Sequence, residues 1–140
     1  MHALTAALLA LAVQAAPEPW TWTLYDASGS VVLANEIPDT PRLRATLECA
    51  PGSGVIRVTV YDAAPGQGFA TLTAGGASAT SEAGGRGDRL ESTLRADHPV
   101  FAAMVSSGRL TVAAGEQSRQ IDVDRDHLGD LRLFGQRCSG

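Results

Sequence analysis

Lysine is absent from the 140 residues, so all 11 basic side chains are arginine, set against 15 acidic ones for a net charge of -4. An acidic chain of this kind lacks the cationic footprint that nucleic acid or an anionic membrane surface requires, and neither is expected as a partner. Without lysine there is no Schiff-base chemistry. The sequence also has no Gly-x-Ser-x-Gly elbow and no glycine-rich loop opening a helix, which removes two common signatures of nucleophile and phosphate sites. No uncharged run reaches the ~20 residues that span a bilayer, so stable membrane insertion is not expected. Aromatic residues make up only 5% of the chain, which makes each Trp and Tyr worth placing. A 44% hydrophobic share with 19% charge argues against disorder, and the length fits one small domain.

The longest apolar run is Ala3 to Val13, the length of a signal-peptide core and too short for an anchor. Val13 and Ala15 satisfy the small-residue rule at the -3 and -1 positions, whereas a cut after Ala16 would leave Pro17 behind the scissile bond. Residues 1–15 are therefore expected to be a bacterial signal peptide cleaved after Ala15. Residues 16–140 are then a single β-rich domain, periplasmic or secreted. The removed segment has no Asp, Glu or Arg, so the net charge is unchanged. No cysteine lies in or just behind it to accept a lipid.

The two cysteines, Cys49 and Cys138, suit that destination: an even count in an oxidising compartment reads as one disulfide. Zinc is the competing use, with His98 and His127 as further ligands. Neither pair has the short spacing that makes such sites recognisable, so no metal and no cofactor is expected.

Strand signals fill the expected domain. Trp20, Trp22 and Leu24 alternate with Thr21 and Thr23, which places both indoles on one face of a half-buried strand. Val31 to Ile37 follows a turn at Asp26–Gly29. Leu43, Ala45, Leu47 and Cys49 alternate with Arg42, Arg44, Thr46 and Glu48, and a Pro-Gly-Ser-Gly turn leads into Ile56, Val58 and Val60. A short strand at Phe69 to Thr73 leads into residues 74–88, whose Gly, Ala and Ser content predicts a long, mobile hairpin arm. Leu90 to Leu94, Leu110 to Ala114 and Gln120 to Asp124 alternate again.

Two helices interrupt the strands. Asp97-His98-Pro99 predicts a start at about 98–107, with Asp97 as the capping acceptor and Gly108 as the stop. Leu128, Leu131, Phe134 and Cys138 form an apolar stripe over about 126–136, capped by Asp126. The expected fold class is mainly β: an antiparallel sandwich or rolled sheet of about 8–9 short strands with two short helices. An α+β arrangement is the alternative.

Candidate chemistry is sparse. Asp122, Asp124 and Asp126 have the spacing that opens a calcium loop, but the sixth position is His127 where glycine is required, and the twelfth is Leu133 where glutamate is required. Arg86-Gly87-Asp88 is a tripeptide that some adhesive ligands present, here among turn-forming glycines. His98 and His127 both sit at expected helix starts. No catalytic residue can be assigned from these patterns. The leading expectation is an exported, non-catalytic domain that binds a protein or a component of the cell envelope. Its expected surface comprises Arg42, Arg44 and Arg57, whose planar forks suit carboxylate or phosphate, with Tyr25, Tyr61, Arg86 and Asp88. One alternative is a small periplasmic hydrolase or lyase using a carboxylate pair with His98 or His127. Another is a structural subunit of a surface assembly built by edge-strand pairing.

Overall fold

Period-two alternation becomes strand wherever it is clean, and turn-forming residues separate the strands. The computed structural model describes residues 19–27 and 29–140. The expected signal peptide and its cleavage point at Ala15 lie outside the described residues. The strands are β1 Thr21–Ala27, β2 Ser30–Glu36, β3 Leu43–Cys49, β4 Val55–Tyr61, β5 Phe69–Ala74, β6 Ala77–Glu82, β7 Arg89–Arg95, β8 Arg109–Ala114 and β9 Gln117–Asp122. The helices are α1 Pro99–Ser107 and α2 Leu128–Cys138. All pairing is antiparallel, in a five-stranded sheet ordered β1-β2-β3-β4-β7 and a four-stranded sheet ordered β6-β5-β8-β9. The mainly-β expectation therefore holds. Among the described residues no helix is long and apolar enough to cross a membrane.

Register decides which side chains meet. Leu33, Leu47, Val58 and Ser92 lie in one row across the first sheet, and Leu72 and Val112 pair across the second. The apolar members of both rows are essentially inaccessible to solvent and belong to one continuous core. Ser92 is the exception in its row: its hydroxyl is buried without a hydrogen-bond partner. Helix α1 packs on β5, β6 and β8, α2 packs on β1 and β2, and the helices touch each other. The helix pair therefore bridges the two sheets. At their contact Phe101 meets Phe134 edge-on, with ring centroids 6.5 Å apart. A Cβ at Gly135 would stand 2.8 Å from the Phe101 ring, so this crossing needs the missing side chain.

Both helix starts differ from expectation. The cap of α1 is His98, whose Nδ1 accepts the Val100 N–H at 3.0 Å, while Asp97 takes Arg95 at 2.9 Å. The reason is Pro99: the residue before a proline is driven extended, which is the backbone a helix cap needs, and His98 has φ -77° and ψ 142°. Asp126 caps nothing. It falls within a single 3-10 turn, Arg125–His127, and α2 begins two residues later than expected, with no side-chain cap. The carboxylate best placed to serve, that of Asp124, is bonded to His127 instead.

The hairpin expected within 74–88 is present: Ala77–Glu82 is a full strand paired along β5, with Ala77 and Ala79 packed on the core. Small side chains here fit the strand beneath α1, where Gly75 lies against Ala103. Residue Gly84 then bridges to Glu91 in both directions, at 2.9 and 3.0 Å, which holds the end of the arm against β7.

Cys49 and Cys138 form a disulfide with Cα atoms 5.8 Å apart, joining the end of β3 to the end of α2. Main-chain bonds reinforce it: Gly52 N–H donates to Arg137 O at 2.9 Å and Gly54 N–H to Cys138 O at 2.7 Å. The bond closes a loop over a sequence separation of 89. On the chain-entropy model that is worth roughly 4 to 5 kcal/mol. Denaturant titration of the oxidised protein and of a Cys49→Ser, Cys138→Ser variant should differ by about that amount; a difference below about 1 kcal/mol would contradict it.

Candidate functional site

The first sheet carries an irregularity near the start of β3. Pairing with β2 runs Asn35 with Ala45 and then Glu36 with Leu43, so Arg44 has no opposite number. A bulge of this kind re-aims the extra side chain. The Arg44 guanidinium lies 4.0 Å from the ring centroid of Trp20, the residue just before β1, and that of Arg42 lies 5.3 Å from the same ring. At this end of the sheet Tyr61 and Arg89 pair across β4 and β7, with the Arg89 guanidinium 5.2 Å from the Tyr61 ring. Three guanidinium groups are thus held on two aromatic faces, an arrangement that fixes their planes at low entropic cost.

Between these walls is a cleft of about 310 Å³ lined by Trp20, Pro41, Arg42, Leu43, Tyr61, Asp62, Asp88 and Arg89. Asp62 closes its floor in a left-handed conformation, φ 53°, which aspartate tolerates better than most residues. Partners from the second sheet hold it there. Arg119 donates to Asp62 O at 2.8 Å, and the Gln117 amide exchanges hydrogen bonds with both main-chain groups of Ala64. Ala63 N–H donates to Asp88 O at 3.0 Å, tying the two acidic loops together.

Of the residues expected from sequence, Arg42, Tyr61 and Asp88 line this cleft, and Arg44 stands on the Trp20 ring beside it but faces a neighbouring hollow with Trp22, Asn35 and Asp122. Arg86 is close by in the exposed turn 86–89, which is closed by a bond from Arg89 N–H to Arg86 O. Arg57 and Tyr25 lie elsewhere. Arg57 pairs with Glu48 at 2.8 Å, and Tyr25 donates to Glu36, which raises the Tyr25 pKa above 10.0. Trp20, Asp62 and Arg89 were not expected at the site. Trp22 is buried as its alternation predicts, but Trp20 is only half-buried, because it precedes the strand and escapes its parity. A cue for Arg89 was its place in the alternation of β7, opposite Tyr61.

A second cluster gathers around β1. His127 bonds through Nδ1 to the Asp124 carboxylate at 2.8 Å and through Nε2 to Thr21 Oγ1 at 3.3 Å. The Trp22 indole N–H donates to Asp122 O at 2.9 Å, and Arg137 meets the Asp26 carboxylate at 2.8 Å. These contacts fasten the outer edge of β1 to β9 and α2. The three aspartates with calcium-loop spacing are dispersed: Asp122 lies 3.4 Å from Arg109, Asp124 binds His127 and Asp126 is in the 3-10 turn. His127 meets one carboxylate where the hydrolase alternative called for a pair, and His98 has one ring nitrogen committed to the cap.

Arg137 holds the Asp26 carboxyl below its ordinary 3.8 by bonding the charged form. A depressed folded-state value contributes stability above the unfolded pKa and loses it as pH falls through the folded one. Asp26→Asn should therefore lower the melting temperature slightly at pH 7, the pair being exposed, and should converge with the wild type well under pH 3.8. Parallel melting curves across the acid range would contradict this.

Comparison with family models, with curated proteins and with solved structures finds no match for this chain.

Proposed function

We propose that this chain is an exported, non-catalytic binding domain whose contact site is the cleft between Trp20 and Tyr61, and whose partner is a protein or a component of the cell envelope. One observation carries the reading: Arg42 on the Trp20 ring and Arg89 on the Tyr61 ring line one concave site, with Arg44 stacked on the same Trp20 ring beside it, in a chain of net charge -4. Guanidinium planes fixed in this way recognise ligand oxygens without paying again for ordering. The disulfide supports the export part, since such bonds persist in oxidising compartments, and the segment 1–15 has the pattern of a signal peptide. Affinity capture from the native envelope should recover a component with the wild type and lose it with an Arg44→Ala, Arg89→Ala double variant that melts normally. Equal recovery by the two proteins would overturn the proposal.

The array Asp124–His127–Thr21 favours a second reading as a small hydrolase, because it has the order orienter, base, hydroxyl used in nucleophilic catalysis. Thr21→Ala and His127→Ala should then each abolish turnover of an activated ester, by at least about a hundredfold. Unchanged hydrolysis in both variants would eliminate this reading.

A further inference from the structure

The tripeptide Arg86-Gly87-Asp88 stands in the loop between β6 and β7, and neither reading above uses it as a unit. We infer that this turn is a second contact surface, docking an adhesion receptor that offers a bound divalent cation to the aspartate and an acidic groove to the arginine. The first ground is presentation. Residues 86–89 are all exposed, and Arg89 N–H donates to Arg86 O at 3.1 Å, which closes a four-residue turn. Within it only Gly87 has a positive φ, 60°, the pattern of a type II′ turn with glycine at its first central position. A Cβ built at Gly87 would meet nothing within 4 Å, so the apex stands clear of the domain.

The second ground is that both charges are available. Arg57, Arg95, Arg109 and Arg137 each meet a carboxylate, and Arg119 bonds a main-chain carbonyl. The side chains of Arg86 and Asp88, by contrast, make no hydrogen bond, ion pair or ring contact among the described residues. One cation and one anion, two residues apart, are thus both left for a partner. A carboxylate is the oxygen ligand that a hard divalent cation takes, and a guanidinium fork fits carboxylates in a groove. Asp88 also borders the Trp20–Tyr61 cleft, whereas Arg86 does not line it.

The third ground is a rigid base. Gly66 N–H donates to Gly84 O at 2.8 Å, Gly84 and Glu91 bond in both directions, and Ala63 N–H donates to Asp88 O at 3.0 Å. Gly85 lies so close to the main chain of Arg89 that a Cβ there would stand 1.9 Å from its carbonyl oxygen. The backbone of the turn is therefore set before a partner arrives, and little order is lost on binding. A linear peptide of the same sequence has that order still to acquire.

Surface plasmon resonance of the full chain over an immobilised integrin ectodomain that reads Arg-Gly-Asp, in buffer containing Mg²⁺, tests this. Binding should saturate, vanish in EDTA, return with Mg²⁺, and be at least tenfold tighter than that of the linear peptide Gly-Arg-Gly-Asp-Ser. That peptide should compete, and Gly-Arg-Gly-Glu-Ser should not. Asp88→Glu keeps the charge but moves the carboxylate by one methylene, and it should weaken binding at least tenfold, as should Arg86→Ala, with melting temperatures unchanged. The Arg44→Ala, Arg89→Ala double variant, which disables the cleft, should bind like the wild type. No binding in Mg²⁺, binding that survives EDTA, wild-type affinity in Asp88→Glu, or affinity no greater than the linear peptide's overturns the inference. If the receptor is not bound while arginine-dependent envelope capture persists, this inference falls and the cleft reading stands. Receptor binding without envelope capture removes the cleft reading and supports this one.

Discussion

The disulfide between Cys49 and Cys138 is the constraint on which the arrangement of layers depends. It ties the last turn of α2 to the end of β3, and the turn at Gly52–Gly54 clamps the same place through two main-chain bonds. With its end fixed there, α2 lies along β1 and β2 and presents Leu131 and Phe134 to the core. Gly135 then admits the Phe101 ring, so α1 is drawn against α2 and carries the second sheet with it. A small domain with one modest core gains from such a closure because its net stability is a small difference between large terms.

Closure of the layers also builds the cleft. Its rings and guanidiniums come from the first sheet, but the loop holding Asp62 is fastened by Gln117 and Arg119 of β9. A change in how the sheets pack would therefore move the acidic side of the site relative to the arginine side. The edge strand β1 is secured on its outer side by contacts from Asp122, His127 and Arg137.

Much of the architecture was legible along the chain because its signals are local. The alternation of Leu43 to Cys49 and Val55 to Tyr61, the helical stripe through Leu131, Phe134 and Cys138, and the glycine stop at Gly108 each express a backbone period or a sterically special position. Two local rules competed at α1, where aspartate is the better cap by type, yet the proline after His98 placed the cap at the histidine. The glycine-rich segment was legible as a hairpin but not as a strand packed on the core. Small residues are common in loops, and they are also what a strand needs where a helix packs closely, and composition does not separate the two.

The candidate site was legible only in part. Arg42, Arg44, Tyr61 and Asp88 could be chosen as polar or aromatic residues on wet faces, but nothing local groups them or separates them from Arg57, which is neutralised by its cross-strand Glu48. The amino-acid sequence by itself determined the strands, the pairing of the only two cysteines and the acidic, arginine-only surface, because periodicity, count and charge do not depend on packing. The tertiary structure alone decided that Arg44 leaves the ladder at a bulge, that Trp20 stands outside the core and that Arg89 faces Tyr61. Those facts depend on strand register and sheet closure, which bring together residues that no local pattern relates.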